Sequence, residues 1–522
     1  MSGPDRDPMQ LWLRRLLTEK PDRTKRELRA ELLRSGFPEL TTRDVNRALY
    51  ANRAVFVNDG ETPPRWRVAD PAALSRRIGP VLPAGYAGKE PRRWQQEALS
   101  AWMAAGRRGV VEAVTGTGKT TVGVLATAAA VDRGERVLVL VPGLDLLDQW
   151  YDVLQRDLRA VSVGRLGGDH EDSFHQYSVL VATVQTVARY EVLPEGMPGL
   201  LVADEVHRYG AEKFARALEE GFGARLGLTA TYAREDNGLE RCLAPYFGDV
   251  VAGCSYERGL ADGILAPFRI AFVGTEFSAE EQSRYRDLNK ATRELRDLLI
   301  NVYGCPPEPF GEFMTAVNKL ARGGHGDFRA TMKAGRYLKA FNDRRKLLAD
   351  CKSKYVALAG LAPLAHLSER GLIFGETTTC AEAVAVLMTR CGVPTRAISG
   401  ETPGDERKQA LASFRDGRLK MLAAPRMLDE GIDLPEAELA IVFAGTRSKR
   451  QMIQRMGRVI RPKEDGRPAT LVVLYVAGTA EDPNRGAHED FIEELVDVAE
   501  DVLDFRVGTT PGQVLAWATA SR

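Results

Sequence analysis

The chain carries a glycine-rich segment, 109–123 (GVVEAVTGTGKTTVG), whose residues could hold a chain of phosphates. Its pattern predicts a buried strand, a tight turn and a helix that opens at Thr120. Gly116 and Gly118 would let backbone N–H groups approach phosphate oxygens, and the helix N-terminus would add partial positive charge. Lys119 would reach the β- and γ-phosphates, and the Thr120 hydroxyl would bind Mg²⁺. The predicted nucleotide-contacting residues here are Thr115, Gly116, Thr117, Gly118, Lys119, Thr120 and Thr121.

Two neighbouring carboxylates lie at the end of another apolar stretch, 199–210 (GLLVADEVHRYG). The pattern predicts a strand that ends at Asp204, a position from which a carboxylate can bind the Mg²⁺ of a nucleotide. Glu205, beside it, could orient and deprotonate the attacking water. His207 could sense the γ-phosphate and relay its state to another domain. Together with the glycine-rich segment, these residues predict a site that binds ATP and Mg²⁺ and hydrolyses the ATP.

Three arginines lie at intervals of three within 454–462 (QRMGRVIRP), and their guanidinium groups would repel one another without an anion nearby. Phosphoryl transfer needs positive charge near the phosphate oxygens, and arginines often deliver it from another domain. Arg458 and Arg461 fit that function, and Gln454 could bridge to the nucleotide or to nucleic acid. We therefore expect a second lobe that closes on the first and completes the ATP site.

Length and composition set broad limits on the kind of protein. A chain of 522 residues, 44% hydrophobic and 27% charged, predicts a globular protein of three or four domains. The net charge of +1 does not by itself indicate a nucleic-acid binder, although a local groove can still be basic. The six cysteines show no CxxC spacing, which argues against a zinc site or a disulfide framework. With no signal-peptide or membrane-spanning pattern, we expect a cytoplasmic protein that does not bind a membrane.

Further segments, in order and at suitable spacing, resemble the motifs of DEAD/DEAH-box helicases of superfamily 2. They are 91–99 (PRRWQQEAL), 137–150 (VLVLVPGLDLLDQW), 179–187 (VLVATVQTV), 226–236 (LGLTATYARED), 370–379 (RGLIFGETTT), 397–417 (AISGETPGDERKQALASFRDG) and 427–437 (MLDEGIDLPEA). The resemblance covers 89–480 and implies an α/β fold with two tandem RecA-like lobes, each built on a parallel sheet.

The resemblance also implies functions for residues outside the phosphate site. Gln95 would contact the edge of the adenine base, with Arg92 and Trp94 nearby. Gly431 and Asp433 match positions that touch the nucleotide sugar and couple the lobes. The positions that would contact the nucleic-acid strand or couple hydrolysis to movement are Pro142, Thr183, Gln185, Thr229 and Thr231.

Within superfamily 2, the chain resembles the XPB-like branch. The likeness rests on DEVH at 204–207, on LGLTAT at 226–231 and on the sequence Arg234-Glu235-Asp236. Motor subunits of type III restriction enzymes share much of this pattern. The resemblance therefore covers both groups.

Residues 1–70 predict a separate domain that resembles a winged helix. Three stretches with apolar residues at helical spacing precede a hairpin signal. Arg43 and Arg47 on the third helix could face a major groove of DNA. The wing would carry Arg65, Trp66 and Arg67. The alternative is that this domain contacts protein or inhibits the motor.

The remaining predicted segments are a linker (71–88), a first lobe (89–262), a second lobe (263–480) and a helical tail (481–522). A helical insertion over about 278–365 would interrupt the second lobe, either to guide nucleic acid or as a solvated spacer. In the tail, an acidic amphipathic helix at 487–505 would pack on the second lobe or bind a partner.

These inferences favour an ATP-dependent helicase or translocase whose track is nucleic acid, DNA more than RNA. One alternative is the motor subunit of a restriction or defence complex, with a nuclease as a protein partner on another chain. An RNA helicase is a second alternative, and a non-enzymatic winged-helix switch that only binds nucleotide is a third. Multiple-turnover ATP hydrolysis would exclude the non-enzymatic switch.

Overall fold

The computed structural model describes residues 8–35, 45, 48–49, 56–58, 65–68, 82–234, 236–323, 327–425, 437–443, 459, 467–485, 495–496 and 498–520. The chain divides into two compact units, Met1–Tyr232 with Arg241–Leu265 and Ala233–Glu240 with Ala266–Arg522. Each unit has a large parallel sheet and an apolar core. Within the described residues, no helix is long and apolar enough to cross a membrane.

A small module begins the first unit and contains a three-stranded antiparallel sheet of order β1-β3-β2. Its described elements are α1 (Pro8–Glu19), β1 (Arg23–Thr24), α2 (Lys25–Arg34), β2 (Phe56–Asn58) and β3 (Arg65–Val68). The β2–β3 hairpin confirms the hairpin prediction. β1 was not predicted, because two residues are too few to show a strand pattern. The likeness to a winged helix stays a prediction.

Along strand β3, the side chains alternate between the core of the module and its surface. Trp66 is 2% exposed and lies in the core of the module, whereas Arg65 and Arg67 on either side are exposed. The three residues predicted for the wing therefore share one strand of the hairpin, with Trp66 packed inward and Arg65 and Arg67 facing outward. Arg43 and Arg47 lie outside the described residues.

The rest of the first unit is built on an eight-stranded sheet of order β11-β4-β10-β9-β5-β8-β6-β7. Its strands are β4 (Arg108–Ala113), β5 (Arg136–Val141), β6 (Val163–Gly167), β7 (His170–Glu171), β8 (Val179–Thr183), β9 (Gly199–Asp204), β10 (Ala224–Thr229) and β11 (Val250–Cys254). Its helices are α3 (Arg93–Ala104), α4 (Lys119–Val131), α5 (Leu144–Asp157), α6 (Val184–Val187), α7 (Glu212–Ala215), α8 (Ala244–Phe247) and α9 (Tyr256–Ala261). All neighbouring strands are parallel except β7, which is antiparallel to β6. The central strands are buried throughout, as parallel sheets with covered faces require.

Ion pairs tie the small module to the larger part of the first unit. Lys25, the first residue of α2, is 5% exposed and pairs with Glu257 of α9. The next residue, Arg258, donates to the carboxylate of Glu97 on α3 over 3.1 Å. Helix α9 therefore contacts both the module and the helix that precedes β4.

The second unit is built on a seven-stranded sheet of order β14-β15-β13-β16-β17-β12-β18, in which all neighbours are parallel. Its strands are β12 (Phe268–Thr275), β13 (Gly371–Gly375), β14 (Thr395–Ala397), β15 (Met421–Pro425), β16 (Leu439–Val442), β17 (Ala469–Val476) and β18 (Asp501–Phe505). Its described helices are α10 (Ala279–Asn301), α11 (Phe310–Ala321), α12 (Phe328–Ala349), α13 (Lys352–Gly360), α14 (Ala362–Leu367), α15 (Thr378–Arg390), α16 (Gly404–Arg415) and α17 (Pro511–Thr519). Two parallel sheets confirm the predicted α/β fold of two lobes.

Helices α10 to α14 lie between β12 and β13, where the sequence predicted a helical insertion. Three of them share a small apolar core that includes Leu299, Phe313, Val317 and Tyr337. Helices α10 to α12 therefore have a core of their own, whereas Leu358 of α13 and Leu364 of α14 belong to the core under the sheet. A function of this insertion as a guide for nucleic acid or as a spacer stays a prediction.

The C-terminal prediction needs correction. Residues 487–505 were expected to form one acidic helix, but β18 occupies Asp501–Phe505 and pairs with β12. β12 would otherwise lie at the edge of the sheet with unpaired backbone groups, and β18 satisfies them. The indole of Trp517 on α17 donates to the Asp501 carboxylate over 2.7 Å, which holds the final helix beside the new edge. The described part of the tail therefore contains a strand and a helix besides the helical residues Leu495 and Val496, and it is not helical throughout.

A buried ion pair in the second unit gives a stability test. Lys354 of α13 is fully buried, and its Nζ donates to Glu481 Oε2 over 2.6 Å. We expect Lys354→Met to lower the free energy of unfolding by about 3–5 kcal/mol, because the buried Glu481 carboxylate would lose its ammonium partner. Denaturant unfolding would measure the loss. The exposed Lys352→Met on the same helix is the control.

The double variant Lys354→Met/Glu481→Leu should recover most of that loss, because no charge is left buried. A single Lys354→Met variant as stable as the control would contradict this account of the pair.

Candidate nucleotide site

The glycine-rich loop after β4 turns the chain into α4. Gly116 and Gly118 have φ values of 91° and 92°, in the left-handed region that favours glycine. A Cβ atom at Gly118 would lie 2.7 Å from Gln95 Nε2, so this position also lacks room for a side chain. Helix α4 begins at Lys119 and directs the partial positive charge of its N-terminus toward the loop. The loop therefore has the backbone shape and polarity that phosphate binding requires.

The side chains of this loop divide into those that hold it and those that are accessible. Thr117 is fully buried, and its hydroxyl donates to the carbonyl of Val114 over 2.7 Å. Lys119 Nζ donates to the carbonyl of Ala113 over 2.9 Å, so its ammonium group lies across the loop. Besides Lys119 itself, the partly exposed residues are Thr115, Gly116, Gly118, Thr120 and Thr121. A phosphate chain could therefore reach Lys119 and the helix N-terminus, and a cation could reach the Thr120 hydroxyl.

The amide of Gln95 on α3 contacts the backbone of the same loop. Its Nε2 donates to the carbonyl of Gly118 over 2.9 Å, and its Oε1 accepts the Arg92 N–H over 2.8 Å. The Arg92 guanidinium donates to the carbonyl of Thr117 over 2.9 Å. Gln95, which is 3% exposed, and Arg92 therefore brace the loop. Contact between Gln95 and adenine stays a prediction.

Trp94 does not belong to the site surface. It is 1% exposed and lies in the core of the first unit, so its predicted place beside the adenine is wrong. The reason is the helical period of α3, which puts Trp94, Ala98 and Trp102 on one buried face.

Asp204 emerges beside the glycine-rich loop because of the strand order. β10 lies between β4 and β9, and its Leu228 is in register with Val111 on one side and Asp204 on the other. The carboxyl ends of parallel strands meet at one edge of a sheet, which is where α/β folds bind ligands. The loop after β4 and the carboxylate at the end of β9 therefore lie along the same edge.

The Asp204 carboxylate is buried and held at both oxygens. Its Oδ2 accepts the indole N–H of Trp150 over 2.8 Å, and its Oδ1 accepts the Glu205 N–H over 3.0 Å. The Tyr209 hydroxyl donates to the Asp204 carbonyl over 2.6 Å. Carboxylate and hydroxyl oxygens are ligands that Mg²⁺ prefers, so Asp204 and Thr120 fit a Mg²⁺ site. Trp150 and Tyr209 were missed in the sequence, because only the strand order brings them to Asp204.

Glu205 adopts a left-handed backbone conformation, with φ 50° and ψ 47°. For a residue with a Cβ atom this conformation costs on the order of 1 kcal/mol. Strain of this kind persists where the surrounding structure enforces it, often at functional sites. The turn places the Glu205 Oε2 atom 3.5 Å from His207 Nδ1.

His207 joins the carboxylate segment to the end of β10. It is 1% exposed, and its Nδ1 lies 3.0 Å from the Thr229 hydroxyl oxygen. That hydroxyl donates to the carbonyl of Thr231 over 3.0 Å, and it has only one hydrogen to give. We therefore assign the donor at this contact to His207 Nδ1–H. The structure thus brings His207, which was predicted to relay the state of the γ-phosphate, together with Thr229 and Thr231, which the resemblance had linked to coupling.

The residues predicted to contact the nucleic-acid strand lie at the ends of neighbouring strands. Gln185 Nε2 donates to the carbonyl of Pro142 over 2.9 Å, which joins the segments after β5 and β8. Thr183 is 4% exposed, and its hydroxyl contacts that of Thr186 at 2.9 Å. Pro142 and Gln185 are therefore placed together, whereas Thr183 mainly orders the turn that follows β8.

The segment that carries the likeness to the XPB-like branch contains a close ion pair. Arg234 Nε and Nη2 each donate to the Asp236 carboxylate over 2.6 Å. This hydrogen bonding from Arg234 holds the pKa of Asp236 below its ordinary value. The residue between them, Glu235, lies outside the described residues.

Several predicted site residues lie outside the described part of the chain. They are Gly431, Asp433, Gln454, Arg458 and Arg461. Their predicted contacts with nucleotide or nucleic acid remain predictions.

Comparison with known proteins follows the same division into two parts. The family model for the type III restriction enzyme res subunit matches residues 88–234, and the helicase conserved C-terminal domain matches residues 353–463. The DNA 3'-5' translocase XPB2 of Sulfurisphaera tokodaii is 30% identical over 75% of this chain and 83% of that protein. The DNA 3'-5' helicase XPB of Mycobacterium tuberculosis is 28% identical over 80% of this chain and 67% of that protein. The match to the putative DNA 3'-5' helicase Rad25 of Haloarcula marismortui is 28% identical and spans 77% of this chain but only 54% of that protein.

Solved structures with a similar fold include a complex of S. cerevisiae Dbp5 with RNA and ADP BeF3. Its TM-score is 0.51 at 15% identity, over 80% of this chain and 90% of that chain. The ATP-dependent Type ISP restriction-modification enzyme LlaBIII bound to DNA has a TM-score of 0.52 at 15% identity, over 83% of this chain and 32% of that chain. At this identity the structures show the fold alone, which is the predicted pair of RecA-like lobes.

The contacts of Gln95 give a test that separates its two possible functions. We expect Gln95→Ala to raise KM for ATP and for GTP by the same factor, about tenfold, because the loop loses a hydrogen-bonding brace. Steady-state hydrolysis of both nucleotides would measure this. Gln96→Ala is the control, since that amide donates to Pro91 and not to the loop. A rise in KM for ATP alone would favour base recognition instead.

Proposed function

This chain belongs to the XPB-like branch of the superfamily 2 helicases, and we propose that it is an ATP-driven motor that moves 3'-5' along DNA. Membership of this family makes it an ATP-hydrolysing enzyme. The DNA track and the direction are proposed because its relatives are named as DNA 3'-5' translocases and helicases. The observation that carries the proposal is the strand order, which sets the glycine-rich loop and Asp204-Glu205 on either side of β10.

The described residues would divide the work of hydrolysis among them. Lys119 and the N-terminus of α4 would hold the triphosphate, and Thr120 and Asp204 would hold Mg²⁺. The Mg²⁺, when bound, would neutralise charge that develops on the phosphate oxygens. Glu205 would orient the attacking water and accept its proton. His207 would pass the state of this site to Thr229 through the hydrogen bond between them.

A second candidate is the motor subunit of a larger nuclease or restriction complex acting on DNA. The match of residues 88–234 to the restriction-enzyme model favours it. Both candidates need the same ATP site, so they differ only in the partner. Co-purification of a nuclease chain with the native protein would support the second candidate, and a fully active single chain would support the first.

We expect DNA to stimulate steady-state ATP hydrolysis, and RNA to stimulate it less. The rate should be measured without nucleic acid, with single-stranded DNA, with duplex DNA and with RNA, at one low salt concentration. Lys119→Ala should lower the rate at least about 100-fold, because the phosphates lose a charged donor aimed at them.

Greater stimulation by RNA than by DNA would argue for an RNA helicase. A Lys119→Ala variant with wild-type turnover would refute the assignment of the site.

Arg461 is proposed to stabilise charge during phosphoryl transfer, together with Arg458 three residues before it. We expect Arg461→Ala to bind ATP with nearly unchanged Kd while kcat falls about 1,000-fold, since such arginines act in the transition state. Equilibrium binding and single-turnover hydrolysis would separate the two effects. Arg418→Ala, an exposed arginine that pairs with Asp416, is the control. Loss of ATP binding along with turnover would indicate a ground-state contact instead.

A further inference from the structure

Trp150 links the candidate Mg²⁺ carboxylate to helix α5, which begins two residues after Pro142. It lies on α5, is 1% exposed, and donates its indole N–H to Asp204 Oδ2 over 2.8 Å. The other oxygen of that carboxylate accepts the Glu205 N–H over 3.0 Å. The two bonds together fix both the position and the rotation of the carboxylate plane.

The far end of the same indole ring rests on the helix that follows the glycine-rich loop. A Cβ atom added to Gly123 of α4 would lie only 2.6 Å from Trp150 Cη2. Gly123 therefore provides the space in which the ring lies. One rigid side chain thus spans from the backbone of α4 to the carboxylate at the end of β9.

We propose that Trp150 is a positioning residue that sets the place of Asp204 relative to the phosphate-binding helix and so determines the affinity for Mg²⁺-nucleotide. The inference rests on the proposed function of Asp204 as a Mg²⁺ ligand. Residues that hydrogen-bond to metal ligands orient them, and their loss commonly weakens metal binding about 10- to 100-fold. An indole is suited to this task, because it has one donor and few rotamers.

Trp102 offers a matched comparison within the same core. It is fully buried, belongs to the same apolar cluster and also donates its indole N–H, but to the carbonyl of Arg225 over 3.0 Å. Trp102→Phe and Trp150→Phe remove the same atoms from equally buried positions. They differ in the acceptor that loses its hydrogen bond. Trp150→Phe affects the Asp204 carboxylate of the candidate site, whereas Trp102→Phe affects the backbone carbonyl of Arg225.

The test is the Kd for ATPγS, measured by calorimetry with saturating Mg²⁺ and again with EDTA. We expect Trp150→Phe to raise the Kd in Mg²⁺ about tenfold or more and to leave the Kd in EDTA nearly unchanged. Trp102→Phe should change neither value, although both variants should lower the thermal unfolding midpoint. Gly123→Ala, which would displace the indole ring, should act in the same direction as Trp150→Phe.

Two results would overturn the inference while leaving the proposed function intact. The first is that Mg²⁺ strengthens ATPγS binding by the same factor in Trp150→Phe as in the wild type. The second is that Trp102→Phe weakens binding in Mg²⁺ by the same factor as Trp150→Phe. Wild-type protein that gains no affinity from Mg²⁺ would instead remove the assignment of Asp204 itself.

Discussion

The parallel pairing of β10 with β4 on one side and β9 on the other is the constraint on which the candidate site depends. Its register places Leu228 opposite both Val111 and Asp204, so two segments about 90 residues apart in the chain reach one edge together. Side chains alternate between the faces of a sheet, so a slip of one residue would turn Asp204 to the other face. The phosphate loop, the carboxylates and the coupling threonines all follow from this register.

The unfavourable features of the site, which are strained backbone angles and buried polar groups, lie mainly in the turns that follow these strands. Gly116 and Gly118 can take left-handed backbone angles without strain, whereas Glu205 takes such an angle against its own preference. Asp204 and His207 are also nearly buried, and burial of polar groups is unfavourable unless their hydrogen bonds are satisfied. The completely buried strands beneath them supply the apolar packing that keeps such turns in place.

Local signals were sufficient to predict both parallel sheets, the glycine-rich turn and the strand that ends at Asp204, because each has its own pattern of residues. They were insufficient where a contact joins distant segments. Trp150 and Asp204 are 54 residues apart in sequence, and Gln95 and Gly118 are 23 apart. The predicted position of Trp94 near the adenine was wrong for a related reason. The motif at 91–99 does not show which face of the helix packs into the core. The residues of the site could be predicted from the sequence, but the hydrogen bonds that hold them in place could not.

The order of strands in the second sheet has a consequence for synthesis of the chain. β12 is the first strand of that sheet to leave the ribosome, yet both of its neighbours, β17 and β18, are the last. The hydrogen bond from Thr275 to Tyr475 closes a separation of 200 residues. Until β17 and β18 emerge, both edges of the apolar strand β12 lack a pairing partner. Pairing between segments so distant in sequence is slow, and the exposed strand is prone to aggregation in the meantime. A message truncated before β17 would therefore yield a chain with a permanently open strand.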